Sequence, residues 1–298
     1  MESVRTLYRP AKPLDLDRTL WPLTRGPWDP VARRDRTGTW WRASRTPEGP
    51  STTRFRRVAG GVALEAFGPG AEWAVAHAPE LLGADDDAED FRPEGKLGLL
   101  ARRFAGLRIT RTRAVYEALV RAISEQLVTG KEAALSHQKL AKRYGERAPG
   151  PVEMYLPPAP EVLAGLPYYD LRPLGIEMKR ATALRNVARR AAKLEQTVEL
   201  SREAAYARLE AVRGVGPWTS AEASVVALGD ADAVSVGDYG LKHLVTYAFT
   251  GEPRGTDELM LELLEPYRPH RARVIRLLWA SDIRAPRFGP RMPLRDTR

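Results

Sequence analysis

The sequence predicts an α+β fold, with a small antiparallel sheet at the N-terminus followed by a longer all-helical region. Residues 1–96 are dense in proline, tryptophan and arginine and show little helical periodicity. From Leu99 onward, apolar residues recur at the spacing of one helix face. A chain of 298 residues has room for one large or two modest domains. We therefore predict an N-terminal α+β domain over residues 1–96 and a helical domain over residues 97–298.

The N-terminal region shows the alternating apolar residues and turn signals of a short antiparallel sheet. Gly60 and Gly61 separate two alternating segments, as expected for a hairpin. Trp40 and Trp41 lie in the first predicted strand and are interpreted as core or domain-interface residues, with base stacking as the alternative. The acidic run at residues 85–90 is interpreted as a solvated loop that ends the domain. Strands are predicted at residues 39–43, 52–58 and 62–67, and a helix is predicted at residues 71–82.

Charge and composition limit the partners and cofactors of the protein. The formal net charge of +9 favours a polyanionic partner such as nucleic acid. The absence of cysteine excludes disulfides, thiolate zinc sites and iron–sulfur clusters held by cysteine. The N-terminal residues lack the apolar segment of a signal peptide, and no apolar run is long enough to span a membrane. We therefore expect a protein of the cytoplasm with no membrane partner.

Residues 209–245 form the most informative stretch of the sequence. Two segments with helical apolar spacing are joined by Gly214-Val215-Gly216, and Pro217 suits the first turn of the second helix. The pattern predicts a helix-hairpin-helix, in which the glycines permit a tight turn and a close backbone approach. The N–H groups at the start of the second helix attract anions, and a nucleic-acid phosphate is the obvious candidate. A plain helical hairpin with a glycine turn is the alternative.

A longer string of residues carries a resemblance to a known family. The string is Leu209-x-x-Val212-Arg213-Gly214-Val215-Gly216-Pro217-Trp218-Thr219, followed by Val236-Gly237-Asp238-Tyr239-Gly240-Leu241-Lys242. It resembles the helix-hairpin-helix superfamily of base-excision DNA glycosylases, and within that superfamily it is similar to the 3-methyladenine DNA glycosylase II type. The resemblance covers the region from Leu99 onward and implies two helical lobes with the active-site cleft between them.

This resemblance implies an activity and a partner. The activity is that of a monofunctional DNA glycosylase of base excision repair. Such an enzyme flips out an alkylated purine, such as 3-methyladenine or 7-methylguanine, and hydrolyses its N-glycosidic bond. The implied partner is double-stranded DNA with damaged bases, bound by a monomer, and a bacterial protein of this kind would be associated with the nucleoid. Two other functions stay open: a glycosylase for deaminated or oxidised bases, and a non-catalytic DNA-binding protein.

The same resemblance assigns the catalytic role to Asp238. Hydrolysis of the N-glycosidic bond places positive charge on the sugar, and a nearby carboxylate stabilises that charge while it orients or deprotonates water. Because aspartate is a favoured helix cap, the alternative is that Asp238 caps the helix that follows. The implied contacts with the DNA backbone are Gly214, Val215, Gly216 and Thr219. The resemblance also implies Na⁺ or K⁺ held by the main-chain carbonyls of Glu210, Val212 and Val215, and no other cofactor.

Aromatic residues are the candidate walls of the base pocket. An electron-rich ring attracts a base that carries positive charge, as purines alkylated at N3 or N7 do. Trp218 and Tyr239 flank the predicted site, and Trp279 falls where the family has a stacking aromatic. Glu222 lies one helical turn after Trp218, where related proteins tend to have an aromatic residue. A carboxylate there favours a cationic base, accepts hydrogen bonds from an exocyclic amine, or points into solvent, so the substrate range stays open.

The segment after the helix that begins near residue 115 is the candidate wedge. Residues 125–130 resemble the family segment that reaches into DNA. A base within a duplex is attacked only after it is rotated out, and the gap must be filled or propped open. We predict that Gln126 and Leu127 perform this role, while the alternative places Leu127 in the core. The tail carries arginines at residues 284, 287, 291, 295 and 298, and it is predicted to be disordered or to lie along DNA.

Lyase chemistry is not expected. Bifunctional relatives carry a lysine in the second hairpin helix, and this lysine forms a Schiff base with the sugar. Trp218 occupies that position. Lys242 lies near Asp238, but it sits where the family has a basic residue that does not attack the sugar. We therefore expect a glycosylase without activity at the abasic site.

Overall fold

The computed structural model describes residues 2–286, and its N-terminal part is built on one antiparallel sheet. The strands are β1 (Ser3–Tyr8), β2 (Ala32–Arg34), β3 (Trp40–Thr46), β4 (Gly49–Val58) and β5 (Gly61–Phe67). Their order across the sheet is β1-β5-β4-β3-β2, and every neighbouring pair is antiparallel. Strands β3, β4 and β5 confirm the predicted strands. The edge strands β1 and β2 were not predicted, because each pairs on one side only and shows no clear alternation.

Fifteen α-helices are present within the described residues. Three accompany the sheet: α1 (Leu16–Leu20), α2 (Ala71–Ala76) and α3 (Ala78–Leu81). The helix predicted at residues 71–82 is divided, because Pro79 has no N–H to donate to the preceding turn. The other helices are α4 (Gly95–Arg103), α5 (Val115–Glu125), α6 (Gly130–Tyr144), α7 (Pro160–Gly165), α8 (Tyr168–Leu171), α9 (Met178–Ala188), α10 (Ala191–Glu195), α11 (Arg202–Glu210), α12 (Pro217–Ala227), α13 (Leu241–Thr250), α14 (Asp257–Leu264) and α15 (Arg271–Ala280).

Two apolar cores hold the helical region together. One core gathers buried side chains from helices between α5 and α12, including Leu119 and Leu209. The other gathers buried side chains from α4 and from α13 to α15, including Val245 and Met260. Among residues 2–286, no helix combines the length and the apolar character needed to cross a membrane. The α+β fold class is confirmed, with the sheet first and the helices after it.

The sheet supports the helices that carry the candidate site. Trp40 and Phe55 are buried in a core that extends to Val225 of α12 and to Ala272 of α15. Trp41 is also buried, and both indole N–H groups donate to aspartates, at 2.7 Å for Trp40 and 2.8 Å for Trp41. The two tryptophans are therefore core residues and are not available to stack on bases. The apolar core is continuous between the sheet and these two helices.

The interpretation of residues 85–90 as a solvated loop holds for Asp85, Asp87, Glu89 and Asp90, which are exposed, but it is wrong for Asp86. Asp86 is buried, and its carboxylate accepts hydrogen bonds from the guanidinium of Arg273 at 2.6 Å and 2.9 Å. It also accepts the backbone N–H of Ile109 at 3.1 Å. Asp90 binds the ring of His270 at 2.7 Å. The carboxylate of Asp86 is buried because it pairs with Arg273 of α15, and a buried arginine needs a paired carboxylate.

We expect Asp86→Ala to lower the free energy of unfolding by about 3–5 kcal/mol, because Arg273 would stay buried without its counter-charge. Urea unfolding followed by circular dichroism measures the change. Asp87→Ala is the matched control, since the side chain of Asp87 is 76% exposed. Equal effects of the two substitutions would support the solvated loop instead.

Candidate active site

The two glycines of the hairpin have different roles in the structure. Gly214 takes φ 100°, and a Cβ placed there would lie 2.4 Å from the Cβ of Ala183 in α9. Gly216 precedes α12 at φ −109°, and a Cβ placed there would have no atom within 4 Å. Gly214 therefore lets the hairpin pack on α9, whereas Gly216 leaves open space beside the N-terminus of α12. Val215 is buried between them.

The loop after α5 is tied to the hairpin by one side chain. The amide of Gln126 donates to the carbonyl oxygen of Gly214 at 3.0 Å and to the hydroxyl of Thr219 at 2.7 Å. Thr219 is only 2% exposed, so its side chain faces inward. The group of Thr219 that is available to contact DNA is therefore its backbone N–H, which belongs to the first turn of α12. Gln126 thus acts as a tether in this structure, and its amide is not free to enter a duplex.

Leu127 projects from this tethered loop. It takes φ 55°, a left-handed conformation that is costly for a leucine, and its side chain is 79% exposed. The end of the preceding helix, α5, is held by Arg180, whose guanidinium donates a hydrogen bond to the carbonyl oxygen of Ser124 at 3.0 Å. The alternative that Leu127 is a core residue is wrong. An exposed leucine held on a strained loop is suited to enter an apolar gap.

Asp238 is bound from two elements at once. Its Oδ1 accepts the backbone N–H groups of Gly240 and Leu241, both at 2.8 Å, and so caps the start of α13. Its Oδ2 accepts the indole N–H of Trp218, in the first turn of α12, at 3.2 Å. The capping interpretation of Asp238 is confirmed, because these contacts fix the carboxylate in one position, and the catalytic role stays a prediction. The half-buried carboxylate lies at the mouth of the hairpin.

The other candidate aromatic residues are more exposed than Trp218. Tyr239 is 81% exposed and its ring meets that of His243 edge-on, with centroids 5.8 Å apart. Trp279, on α15, is 42% exposed, and the guanidinium of Arg276 lies 5.3 Å from its ring centroid. Within the described residues, neither ring stacks on that of Trp218. The structure brings Trp218 to Asp238 directly, and Tyr239 follows Asp238 along the chain.

Glu222 faces a group of arginines. Its carboxylate accepts the hydroxyl of Ser235, and the carbonyl of Ser235 in turn accepts the N–H of Asp238 at 3.2 Å. Glu222 also lines a cavity of about 10 Å³, which is room for a single water molecule, together with Arg25, Arg121 and Glu125. Sequence patterns did not reveal these arginines, because Arg25, Arg121 and Arg276 are far apart along the chain and none belongs to the motif.

Burial and charge make this group unusual. Arg25 forms an ion pair with Glu125, the residue that precedes Gln126. Burial, together with the charge of Arg25, lowers the pKa of Arg121 to about 10. Burial also lowers the pKa of Arg276. Two buried arginines therefore lie close to Glu222, the residue one helical turn after Trp218.

Two further predictions concern residues near the site. Lys242 forms an ion pair with Asp257 at 3.0 Å, so its ammonium is already engaged. Of the arginines predicted to lie along DNA in the tail, Arg287, Arg291, Arg295 and Arg298 lie outside the described residues. Arg284 is described, and its guanidinium donates to the carbonyl of Ser281 at 2.7 Å.

The comparisons with known proteins agree with this geometry. No protein-family profile matches the sequence. The sequence is 30% identical over 190 residues to DNA-3-methyladenine glycosylase 2 of Escherichia coli (strain K12), a match that covers 63% of this chain and 65% of that enzyme. The chain thus matches just under two thirds of that relative's length.

Solved structures share the whole architecture. The 3-methyladenine DNA glycosylase of Archaeoglobus fulgidus gives a TM-score of 0.78 at 20% identity, over 93% of this chain and 97% of that one. An 8-oxoguanine glycosylase/lyase of Clostridium acetobutylicum, bound to double-stranded DNA, gives 0.73 at 13% identity, over 93% and 96%. At these identities the likeness establishes the fold alone.

The fold, with its sheet, two helical cores and glycine hairpin, is shared with both of these DNA glycosylases. The sequence is similar to DNA-3-methyladenine glycosylase 2 over just under two thirds of the chain.

We expect Gly214→Ala to lower the free energy of unfolding by about 1–3 kcal/mol, because the new Cβ meets Ala183 and the backbone is left-handed. Gly216→Ala is the matched substitution and should leave stability within about 0.5 kcal/mol of wild type. It should instead weaken binding to duplex DNA. Thermal unfolding and DNA titration of both variants separate the two roles, and a reversal of the two effects would contradict the assignment.

Proposed function

We propose that the protein is a monofunctional DNA glycosylase that hydrolyses the N-glycosidic bond of alkylated purines, such as 3-methyladenine and 7-methylguanine. The observation that carries this proposal is the carboxylate of Asp238, held by the N–H groups of α13 and the indole of Trp218. A protein that only clamps DNA at the hairpin needs no such carboxylate. The net charge of +9 suits a DNA partner, which we propose is bound by a monomer.

The proposed reaction begins with binding and base rotation. The N–H groups at the start of α12 bind a backbone phosphate, and Gly216 leaves room for it. Leu127 enters the duplex and fills the space that the rotated base leaves. The rotated base lies near Trp218 and Tyr239, and a cationic base is attracted to such rings.

Bond cleavage then depends on Asp238. The bond between C1′ and the base nitrogen breaks, and its electron pair leaves with the base, so a cationic base departs neutral. The carboxylate faces the positive charge that develops on the sugar and stabilises it. Water adds to C1′ and gives up a proton, for which Asp238 is the nearest proposed acceptor. The products are a free base and an abasic site.

Two observations support hydrolysis without strand cleavage. Trp218 stands where a lyase would have its lysine, and its indole nitrogen is bound to Asp238. The ammonium of Lys242 is paired with Asp257. A Schiff base needs a free amine beside the sugar, and neither residue provides one.

We also propose that the hairpin holds Na⁺ or K⁺ through the carbonyls of Glu210, Val212 and Val215. Among the described residues, the carbonyls of Glu210 and Val215 accept no backbone hydrogen bond, while that of Val212 accepts the N–H of Val215 at 2.9 Å. Carbonyl oxygens are suitable ligands for hard cations, so the residues fit the ion. When bound, the ion would stabilise the turn and add positive charge beside the phosphate.

The proposed function is tested by incubating the protein with methylated duplex DNA and measuring the free bases by chromatography. We expect release of both 3-methyladenine and 7-methylguanine, with the abasic strand left intact until alkali is added. Strand cleavage without alkali, together with a covalent protein–DNA adduct that borohydride traps by reducing the Schiff base, would show a lyase. If neither base is released while DNA binding stays tight, the result would favour a glycosylase for deaminated or oxidised bases, or a non-catalytic DNA-binding protein.

A further inference from the structure

A tight turn over residues 235–238 leads into the candidate catalytic residue. The N–H of Asp238 donates to the carbonyl oxygen of Ser235 at 3.2 Å, which closes the turn. Gly237 is the third residue of this turn and takes φ 89°, the left-handed conformation that a type II turn requires at that place. The hydrogen bond that closes the turn does not use the N–H of Gly237, so this group is left for another acceptor.

Asp257 supplies that acceptor. It is the first residue of α14, and its Oδ1 accepts the N–H of Gly237 at 3.0 Å. Its Oδ2 accepts the ammonium of Lys242, on α13, at 3.0 Å. Burial raises the pKa of Asp257, but the N–H of Gly237 and the ammonium of Lys242 together outweigh it and hold the pKa below its usual value. The carboxylate is therefore charged at neutral pH.

The requirements of α14 do not explain these contacts. The cap of this helix is Thr256, whose hydroxyl accepts the N–H of Leu259 at 3.2 Å. A negative charge in the first turn is favourable beside the helix dipole, but Glu258 supplies one as well. Both carboxylate oxygens of Asp257 instead bind groups outside α14. Asp257 thus joins three elements: α14, α13 and the turn before Asp238.

The two ends of the turn are held in different ways. Ser235 is buried, and its hydroxyl donates to the carboxylate of Glu222 on α12. Gly237 is exposed, and a glycine has no side chain that could anchor it in a core. The hydrogen bond to Asp257 therefore ties Gly237, the residue next to Asp238, to the rest of the fold.

Resting on the proposed glycosylase function, we propose that Asp257 is a positioning residue for Asp238. It fixes the backbone of Gly237 immediately before the proposed catalytic carboxylate, and its ion pair with Lys242 keeps Asp257 itself in place. A carboxylate stabilises developing charge well only when its position is set before the reaction. Misplacement by about 1 Å slows a reaction by as much as roughly 100-fold, so a contact that acts through the backbone affects the rate.

The test measures base release and DNA affinity for the same variants. Wild type, Asp257→Ala and Asp257→Asn are incubated in saturating excess over methylated duplex DNA, so that the rate of base release reports the steps after binding. Kd is measured by titration of an undamaged duplex of the same sequence. We expect Asp257→Ala to slow release roughly 10- to 100-fold with an unchanged Kd. Asp257→Asn should stay within about threefold of wild type, because its amide oxygen still accepts the N–H of Gly237.

Glu258→Ala is the matched control. It removes an exposed carboxylate from the same turn of α14 and should change neither the rate nor Kd. Because both alanine substitutions weaken the interaction with the helix dipole, a difference between them isolates the contacts of Asp257. Thermal unfolding shows whether each variant is folded at the assay temperature. If Asp257→Ala is not, Asp257→Ser replaces it with the same expected loss, since the serine hydroxyl is one bond shorter than the carboxylate oxygen.

The outcomes separate the inference from the proposed function. Release by Asp257→Ala within about threefold of wild type would overturn the inference and leave the proposed function standing, since the contact would then only support the fold. Equal slowing by Asp257→Ala and Asp257→Asn would also overturn it, because the acceptor for Gly237 would not be the cause. A weaker Kd with an unchanged rate at saturation would place Asp257 in binding and contradict the inference. Release of neither base by wild type would defeat the proposed function, and the inference with it.

Discussion

The carboxylate of Asp238 is the point on which the candidate site depends. It is held by two backbone N–H groups at the start of α13 and by an indole in the first turn of α12. Because α12 packs against α5 and against the core of the sheet, the position of the carboxylate is set by most of the fold. A side chain fixed in this way loses little freedom when a substrate arrives, and pre-organised groups of this kind stabilise developing charge most effectively.

A second link joins the wedge to the hairpin. The amide of Gln126 spans two positions of the hairpin segment, the carbonyl of Gly214 and the hydroxyl of Thr219. The loop that carries Leu127 and the backbone that would bind phosphate are therefore joined by hydrogen bonds. This coupling matters because base rotation requires the wedge to act at a fixed distance from the bound phosphate. The strained conformation of Leu127 is maintained by the same link.

Local patterns predicted the helices, the hairpin and an aspartate that caps the following helix. In residues 209–245, the glycines, the proline and the helical spacing of apolar residues determine structure within a few positions of the chain. The sequence alone therefore reveals their effect. The exposed Leu127 was predicted only through resemblance, because its left-handed backbone has no sequence signal. The inward-facing hydroxyl of Thr219 was missed for the same reason, since it depends on where Gln126 is placed by the fold.

Ion pairs between residues that are far apart in the chain could not be predicted from the sequence. Asp86 and Arg273 are 187 positions apart, and the pairing of Arg25 with Glu125 spans 100 positions. Nothing local distinguishes a buried aspartate in an acidic run from a solvated one. The same holds for Arg121, which looks like an ordinary polar residue of an amphipathic helix until α12 and α15 are placed around it. These pairs required the three-dimensional arrangement.

Single-turnover release of methylated base by Asp238→Asn, compared with wild type on the same duplex, tests the central claim most directly. Asparagine still accepts the N–H groups of α13, so the fold and the affinity for DNA should be kept. Because the negative charge beside the sugar is lost, we expect release to slow roughly 10²- to 10⁴-fold with an unchanged Kd. Release within about threefold of the wild-type rate, at unchanged affinity, would contradict a catalytic role for Asp238.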